Sequence, residues 1–442
     1  MSWATEEFSD IDLGDKRLDK RLHKLAETLA RQPSASIPSA CKGWDEIQSA
    51  YRFFAKDRIS WEDILKPHWS SSVARMAQHP VALCIQDTTE LNFNGQEIRG
   101  LGRLCYEAQR GMYLHPTLAI TPDREPLGVV DAYMWARAEK GQPDIVESTR
   151  LIEGYERVAK MAEQLPNTRL VYMADREADI LELMQKAAKL NHPADWLIRA
   201  KHNRALPPEP GQSKGKKLWA SIIADEPLGE IEFVQAARRG QKRRTVRQRV
   251  WAKRMTLDKG VQATCVIAQE IAAPAGVTSL TWRLLTNREA VSVEDVRELI
   301  DWYRARWEIE LFFHVIKNGC RIEALQLGTI KRLERAIALY LVVSWRIARL
   351  MRLGRTCPDL PADMYFEPDE WKSAYILRDK PVPKRTPKLN EVIRTIASLG
   401  GFIGRKGDGE PGVKALWLGM QRVFGMAKGM RHIREIGGIE EA

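Results

Sequence analysis

The sequence lacks any long lipid-like run, and its cysteines show no pairing pattern. The longest apolar stretch, Ala336 to Trp345, falls far short of the roughly 20 residues that a membrane-spanning helix needs, and Arg335 and Arg346 bracket it. A buried helix is therefore expected there, and no membrane partner. The opening residues, MSWATEEFSDID, have no basic start, apolar stretch or small-residue cleavage site, so a cytoplasmic protein is expected. None of the six cysteines belongs to a C-x-x-C pair, which argues against both a disulfide framework and a zinc knuckle. Repeats at solenoid periods are missing too.

What the chain does have is positive charge. Across 442 residues, 69 Lys and Arg stand against 58 Asp and Glu, a formal net charge of +11. A hydrophobic share of 44% is enough for a substantial core in about three domains. The charge balance makes a polyanion the first partner to consider.

Hydrophobic spacing divides the chain. In LGDKRLDKRLHKLAETLARQ, Leu18, Leu22, Leu25 and Leu29 recur at helical spacing, while Lys16, Arg17, Lys20, Arg21 and Lys24 occupy the other faces. This basic amphipathic helix, with a second over Asp45 to Lys56, forms a helical unit to about residue 70. From residue 80 the period becomes that of strands: 81–86, 112–121 and 126–135, then a helix near 145–164, a strand at 169–174, a helix at 177–189 and a strand at 195–200. Three sequential strands followed by helix, strand, helix, strand predict an α/β (α+β) fold, a mixed sheet of the ribonuclease H type. Residues 206–280 interrupt it with a Pro, Gly and Lys rich loop and alternating strands, an expected β insertion. Long helices are expected over Val291 to Lys317 and Thr329 to Leu353. A small helical domain should occupy 356–442, leaving 71–355 as the core.

Three acidic residues stand where a sheet-based nuclease needs them. Asp87 follows the strand VALCIQ, Asp175 follows RLVYMA, and Glu310 lies on the first long helix. Carboxylates at two strand ends and on one helix can hold two hard divalent cations by oxygen alone, and such a pair can activate an attacking hydroxyl and stabilise a leaving oxygen. Taken singly, an aspartate at a strand end also serves as an ordinary turn or helix cap. On a continuous helix, however, Tyr303, Arg306, Glu310 and Lys317 fall within a stripe about 60° wide. One face would then present a metal ligand beside phosphate-binding groups.

These residues form a Y-(2)-R-(3)-E-(6)-K pattern, by which the chain resembles the insertion-sequence-four family of bacterial cut-and-paste transposases. The likeness extends to LGDKRLDKRL, SAYRFF, DTT at Asp87, DREADI at Asp175, RAKHNR at Arg199 to Arg204, TWRLLT around Trp282 and LGGF at Leu399 to Phe402. The resemblance implies a metal-binding triad of Asp87, Asp175 and Glu310 with two Mg²⁺ (or Mn²⁺) ions. Tyr303, Arg306 and Lys317 would hold phosphates, and Trp282 would stack on a flipped base. Arg199, Lys201, Arg204, Lys242, Arg243 and Arg244 would follow the DNA backbone, and the helix carrying Arg17, Lys20 and Arg21 would meet the transposon end. The implied partners are double-stranded DNA, as transposon ends and target, and a second copy of the chain paired through the C-terminal domain. The implied setting is the bacterial nucleoid. In one departure, His314 stands where the resembled pattern has a second lysine on the signature helix. Two other readings remain open at this point: a catalytically silent DNA-binding regulator, and a metal-dependent structure-specific nuclease on the same core.

Overall fold

The computed structural model describes residues 2–138, 147–208, 215–235, 244–405 and 410–437. Five helices come first: α1 (Trp3–Glu7), α2 (Lys16–Arg31), α3 (Ile37–Ala40), α4 (Trp44–Phe54) and α5 (Trp61–Met76). Asp15 caps α2 by accepting from Arg17 N at 2.9 Å, and Leu22, Leu25 and Leu29 are buried as the spacing predicts. A capping box between Ser60 and Asp63 starts α5, which runs through residue 70 without a break.

The core strands follow: β1 (Val81–Gln86), β2 (Thr89–Asn92), β3 (Gly102–Arg103), β4 (Arg110–Ile120) and β5 (Pro126–Trp135). After them come α6 (Glu147–Gln164), β6 (Arg169–Ala174), α7 (Leu181–Lys189) and β7 (Asp195–Arg199). β4 runs antiparallel to β1 and β5, whereas β6 runs parallel to β1 and β7 parallel to β6. The spatial order β5-β4-β1-β6-β7, a meander joined to two helical crossovers, is that of the ribonuclease H fold. Side chains alternate along β1 as a two-sided strand requires: Leu83 and Ile85 join one core cluster, Ala82 and Cys84 the other.

The insertion contributes α8 (Leu218–Ile223), β8 (Gly229–Gln235), β9 (Arg244–Thr256) and β10 (Gln262–Glu270), with β11 (Thr281–Thr286) just after. These strands continue the core sheet, because β11 pairs antiparallel with β7, Leu285 opposite Ile198. The result is one sheet of 11 strands. Then come α9 (Val293–Ala305), α10 (Glu308–His314), α11 (Ile330–Thr356), α12 (Pro368–Ile376), α13 (Leu389–Leu399) and α14 (Val413–Gly437).

The expected continuous helix over Val291 to Lys317 is thus divided. Around its break the amide bonds tighten to the three-residue spacing, Arg306 N to Tyr303 O at 3.2 Å and Glu310 N to Trp307 O at 3.1 Å. Beyond α10 the chain widens into a π-helical turn over Val315–Gly319 that carries Lys317. Such irregular turns frequently mark functional sites. In α11 every residue from Leu333 to Trp345 is buried, as the apolar run predicts. Among the described residues, no helix is long and apolar enough to cross a membrane, and no cysteine is paired.

Buried polar contacts join the N-terminal helices to the sheet. Val129 N donates to His68 Nε2 at 3.0 Å, so the ring proton sits on Nδ1 and is donated to Glu7. Arg75 donates to both Glu7 oxygens at 2.9 and 3.0 Å. Burial pushes the Glu7 carboxyl up, but His68 and Arg75 outweigh it and bring its pKa from 4.5 down to about 2. A depressed carboxylate stabilises the fold above its unfolded value, and that contribution fades as pH falls from 4.5 toward 2. Glu7→Gln should therefore lose roughly 3 kcal/mol at pH 7. In urea unfolding, the gap from wild type should shrink below pH 4.5; a gap independent of pH would remove Glu7 from this role.

Candidate active site

β1 and β6 are adjacent and parallel, with Ile85 opposite Met173, so the residues that follow them emerge at the same edge of the sheet. Those residues are Asp87 and Asp175. Gln86, just before Asp87, is held by the Tyr172 hydroxyl at 2.7 Å. Helix α6 also crosses closely here: a Cβ on Gly154 would lie 2.1 Å from the Gln86 amide. Glu310 reaches the same place from α10. Arg306 joins the two sides, donating from Nη1 to Asp87 Oδ2 at 2.7 Å and from Nη2 to Glu310 Oε1 at 2.9 Å. With both oxygens on one guanidinium fork, Asp87 and Glu310 lie within about 8 Å of each other.

Asp87 is pushed up to about pKa 6. Burial is the largest cause, and the Asp175 and Glu310 carboxylates act in the same direction, while Arg306 and the Thr88 amide oppose them without prevailing. The charges of Asp175 and Glu310 therefore lie near enough to Asp87 to oppose its ionisation. An all-oxygen donor set of this kind suits a hard divalent cation. Among the described residues, no three Asp, Glu, His or Cys side chains are gathered closely enough to hold one. The cation between Asp87 and Glu310 is the Arg306 guanidinium.

Tyr303 and Arg199 lie with Arg306 close to these acids. Tyr303 is only 6% exposed and its buried hydroxyl has no hydrogen-bond partner among the described residues. Its ring lies 5.9 Å from the Arg306 guanidinium. Burial raises the Tyr303 phenol, against the opposing pull of the Arg306 and Arg199 guanidinium groups, and Asp175 adds to the rise. Arg199, at the end of β7, is lowered by burial and senses Tyr303, Arg306 and Asp175. Lys317 is half-buried on the π-helical turn. His314 is exposed and hydrogen-bonded to the Asn318 amide at 3.0 Å.

The remaining candidates have other engagements. Trp282 is half-buried on β11, with its ring stacked on Phe233 at 5.5 Å and 9°, and Arg304 lies 4.1 Å from the Phe233 ring. Arg244 is ion-paired with Glu270. Lys242 and Arg243 lie outside the described residues. Arg17, Lys20 and Arg21 are on the solvent side of α2, which packs on α1, α4 and α11.

Two groups behind the acids were not among the residues picked out from the sequence. Asp179 is fully buried and accepts from Lys201 N at 2.6 Å and His202 N at 2.9 Å, with Arg204 Nη1 at 2.6 Å. It ties the turn that begins at Asp175 to the loop that carries Lys201, and Arg204 is engaged in that anchor. The spacing D-R-E-A-D was the available signal. His115 is buried, with Nδ1 2.7 Å from the Thr88 hydroxyl, and burial brings its pKa down to about 3. It supports the residue next to Asp87 as a neutral ring.

Comparison with known proteins finds three matches along the chain. Residues 1–59 match the Transposase DNA-binding family, 151–345 the Transposase DDE domain, and 342–439 the Transposase Tn5 dimerisation domain. The DDE match contains Asp175 and Glu310, whereas Asp87 lies ahead of it. Among solved structures, a piggyBac transposase synaptic complex with hairpin DNA is similar over 84% of this chain, at 7% identity and a TM-score of 0.35. The chain spans 60% of that protein's length, and a likeness so small carries no weight.

The Asp179 anchor is open to test. Asp179→Ala strands a largely buried guanidinium and two backbone donors, which should cost about 3–5 kcal/mol in urea unfolding. A loss below about 1 kcal/mol would show that the loop holds without it.

Proposed function

The chain belongs to the Tn5-type DDE transposase family, and from that membership we propose that it is a metal-dependent DNA transposase acting by cut and paste. The observation that supports this reading is that Asp87 and Asp175 follow adjacent parallel strands at one sheet edge, where Arg306 bonds both Asp87 and Glu310. Asp87, Asp175 and Glu310 would hold Mg²⁺ or Mn²⁺. When bound, such ions supply activation of the attacking oxygen and charge stabilisation at the leaving oxygen.

The chain's own residues place the DNA. Tyr303, Arg306 and Lys317 hold phosphates of the cleaved strand, while Arg199 and Lys201 follow the adjacent backbone. Helix α2 brings Arg17, Lys20 and Arg21 to the transposon end, and the C-terminal helices pair two chains so that two ends are handled together. Water attacks the first strand, and the freed 3′-hydroxyl attacks the opposite strand to close a hairpin. Reopening of the hairpin and transfer to target DNA follow, each an in-line displacement at phosphorus. Trp282 offers the ring face not covered by Phe233 to a base turned out at the hairpin.

The deciding experiment mixes the purified chain, Mg²⁺ and duplex DNA carrying the inverted repeats that flank its coding sequence. Cleavage at the repeat ends is expected, with Asp87→Asn, Asp175→Asn and Glu310→Gln each lowering it by at least about a hundredfold. Cleavage that survives these substitutions, or that ignores the repeats, would sink the proposal. On the same DNA, Trp282→Ala should slow hairpin closure relative to nicking by about 5- to 100-fold, the kinetic equivalent of roughly 1–3 kcal/mol of base stacking. Equal slowing of both steps would make Trp282 structural.

A further inference from the structure

Arg306 fills the seat between Asp87 and Glu310. Its two terminal nitrogens are committed to these carboxylates at 2.7 and 2.9 Å, and its side chain is only 13% exposed. The tightened turn fixes its direction, since Ile309 N bonds Arg306 O at 3.2 Å and Glu310 N bonds Trp307 O at 3.1 Å. A guanidinium stays protonated at every physiological pH, so its charge is removed only by moving the side chain. A divalent ion and a guanidinium a few ångströms apart repel strongly in a partly buried site. The seat therefore accommodates one or the other.

A phosphate diester is the anion suited to draw Arg306 away, because its oxygens match the guanidinium fork as the carboxylates do. Tyr303 stands beside Arg306, its ring 5.9 Å from the guanidinium and its hydroxyl buried. We propose that Arg306 is an internal cation that fills the metal seat of the DNA-free chain. A DNA phosphate takes it over on binding, so the metal is held tightly only once DNA is in place. The identity of the phosphate donor rests on the transposase reading above.

The test is a Mn²⁺ titration of the full chain at pH 8, followed by the electron paramagnetic resonance of free Mn²⁺, so that no cleavage is needed as readout. Without DNA, Arg306→Ala should bind Mn²⁺ at least about tenfold more tightly than wild type. Adding Asp87→Asn should abolish that gain, which places the ion at this seat. Arg306→Gln, which keeps length and hydrogen bonding without charge, should behave as Arg306→Ala does, and circular dichroism confirms that each variant is folded. A duplex of the flanking repeat should tighten Mn²⁺ binding in wild type and leave Arg306→Ala almost unchanged. Equal affinities of wild type and both Arg306 variants without DNA, or equal tightening of all by the duplex, would overturn the proposal. Failure of the cleavage assay would remove the transposase reading while leaving the DNA-free comparison intact.

Discussion

The parallel pairing of β1 and β6 is the constraint on which the site depends. Antiparallel neighbours would have sent the residues after these two strands to opposite edges of the sheet. Because both strands run the same way, Asp87 and Asp175 leave at one edge without any further device. β7 extends the arrangement by one strand and delivers Arg199 to that edge, and the turn after β6 binds the 201–204 loop through Asp179. Glu310 and Arg306 come from the helical segment that follows the insertion.

Charge explains why the acids are not simply surface residues. Burial and two neighbouring carboxylates raise Asp87 in spite of a direct guanidinium contact. An isolated cluster of this kind would repel itself apart. Arg306 relieves that repulsion with a cation the chain already carries.

Much of this was readable in the residues. β1, β5 and β6 begin and end where the apolar alternation predicts, and Asp87, Asp175 and Glu310 were singled out as residues following two strands and riding on a helix. Less was readable where long-range geometry decides. Periodicity treats 291–317 as one helix because Ile309, Phe312 and Ile316 keep a helical rhythm opposite the Tyr303 stripe. A three-residue tightening at Arg306 and a π turn at Val315 leave that rhythm nearly intact. The insertion reads as strands, but nothing in TWRLLT announces that it will pair with DWLIR, some 80 residues earlier in the chain. Arg204 and Arg244 look like free phosphate contacts in a basic stretch; their pairing with Asp179 and Glu270 depends on tertiary neighbours.

The α11 helix has a consequence for how the chain is made. Arg335 reaches back across 281 residues to the carbonyl of Phe54 and across 276 to that of Ile59, and His68 waits for Val129 in the same way. On the ribosome the first helices emerge early, yet the carbonyls of Phe54 and Ile59 can bond only water until α11 has been synthesised. Non-local contacts of this length close slowly. The unit that emerges first is therefore among the last to be completed, and a nascent chain halted before residue 335 carries N-terminal helices that lack this clasp.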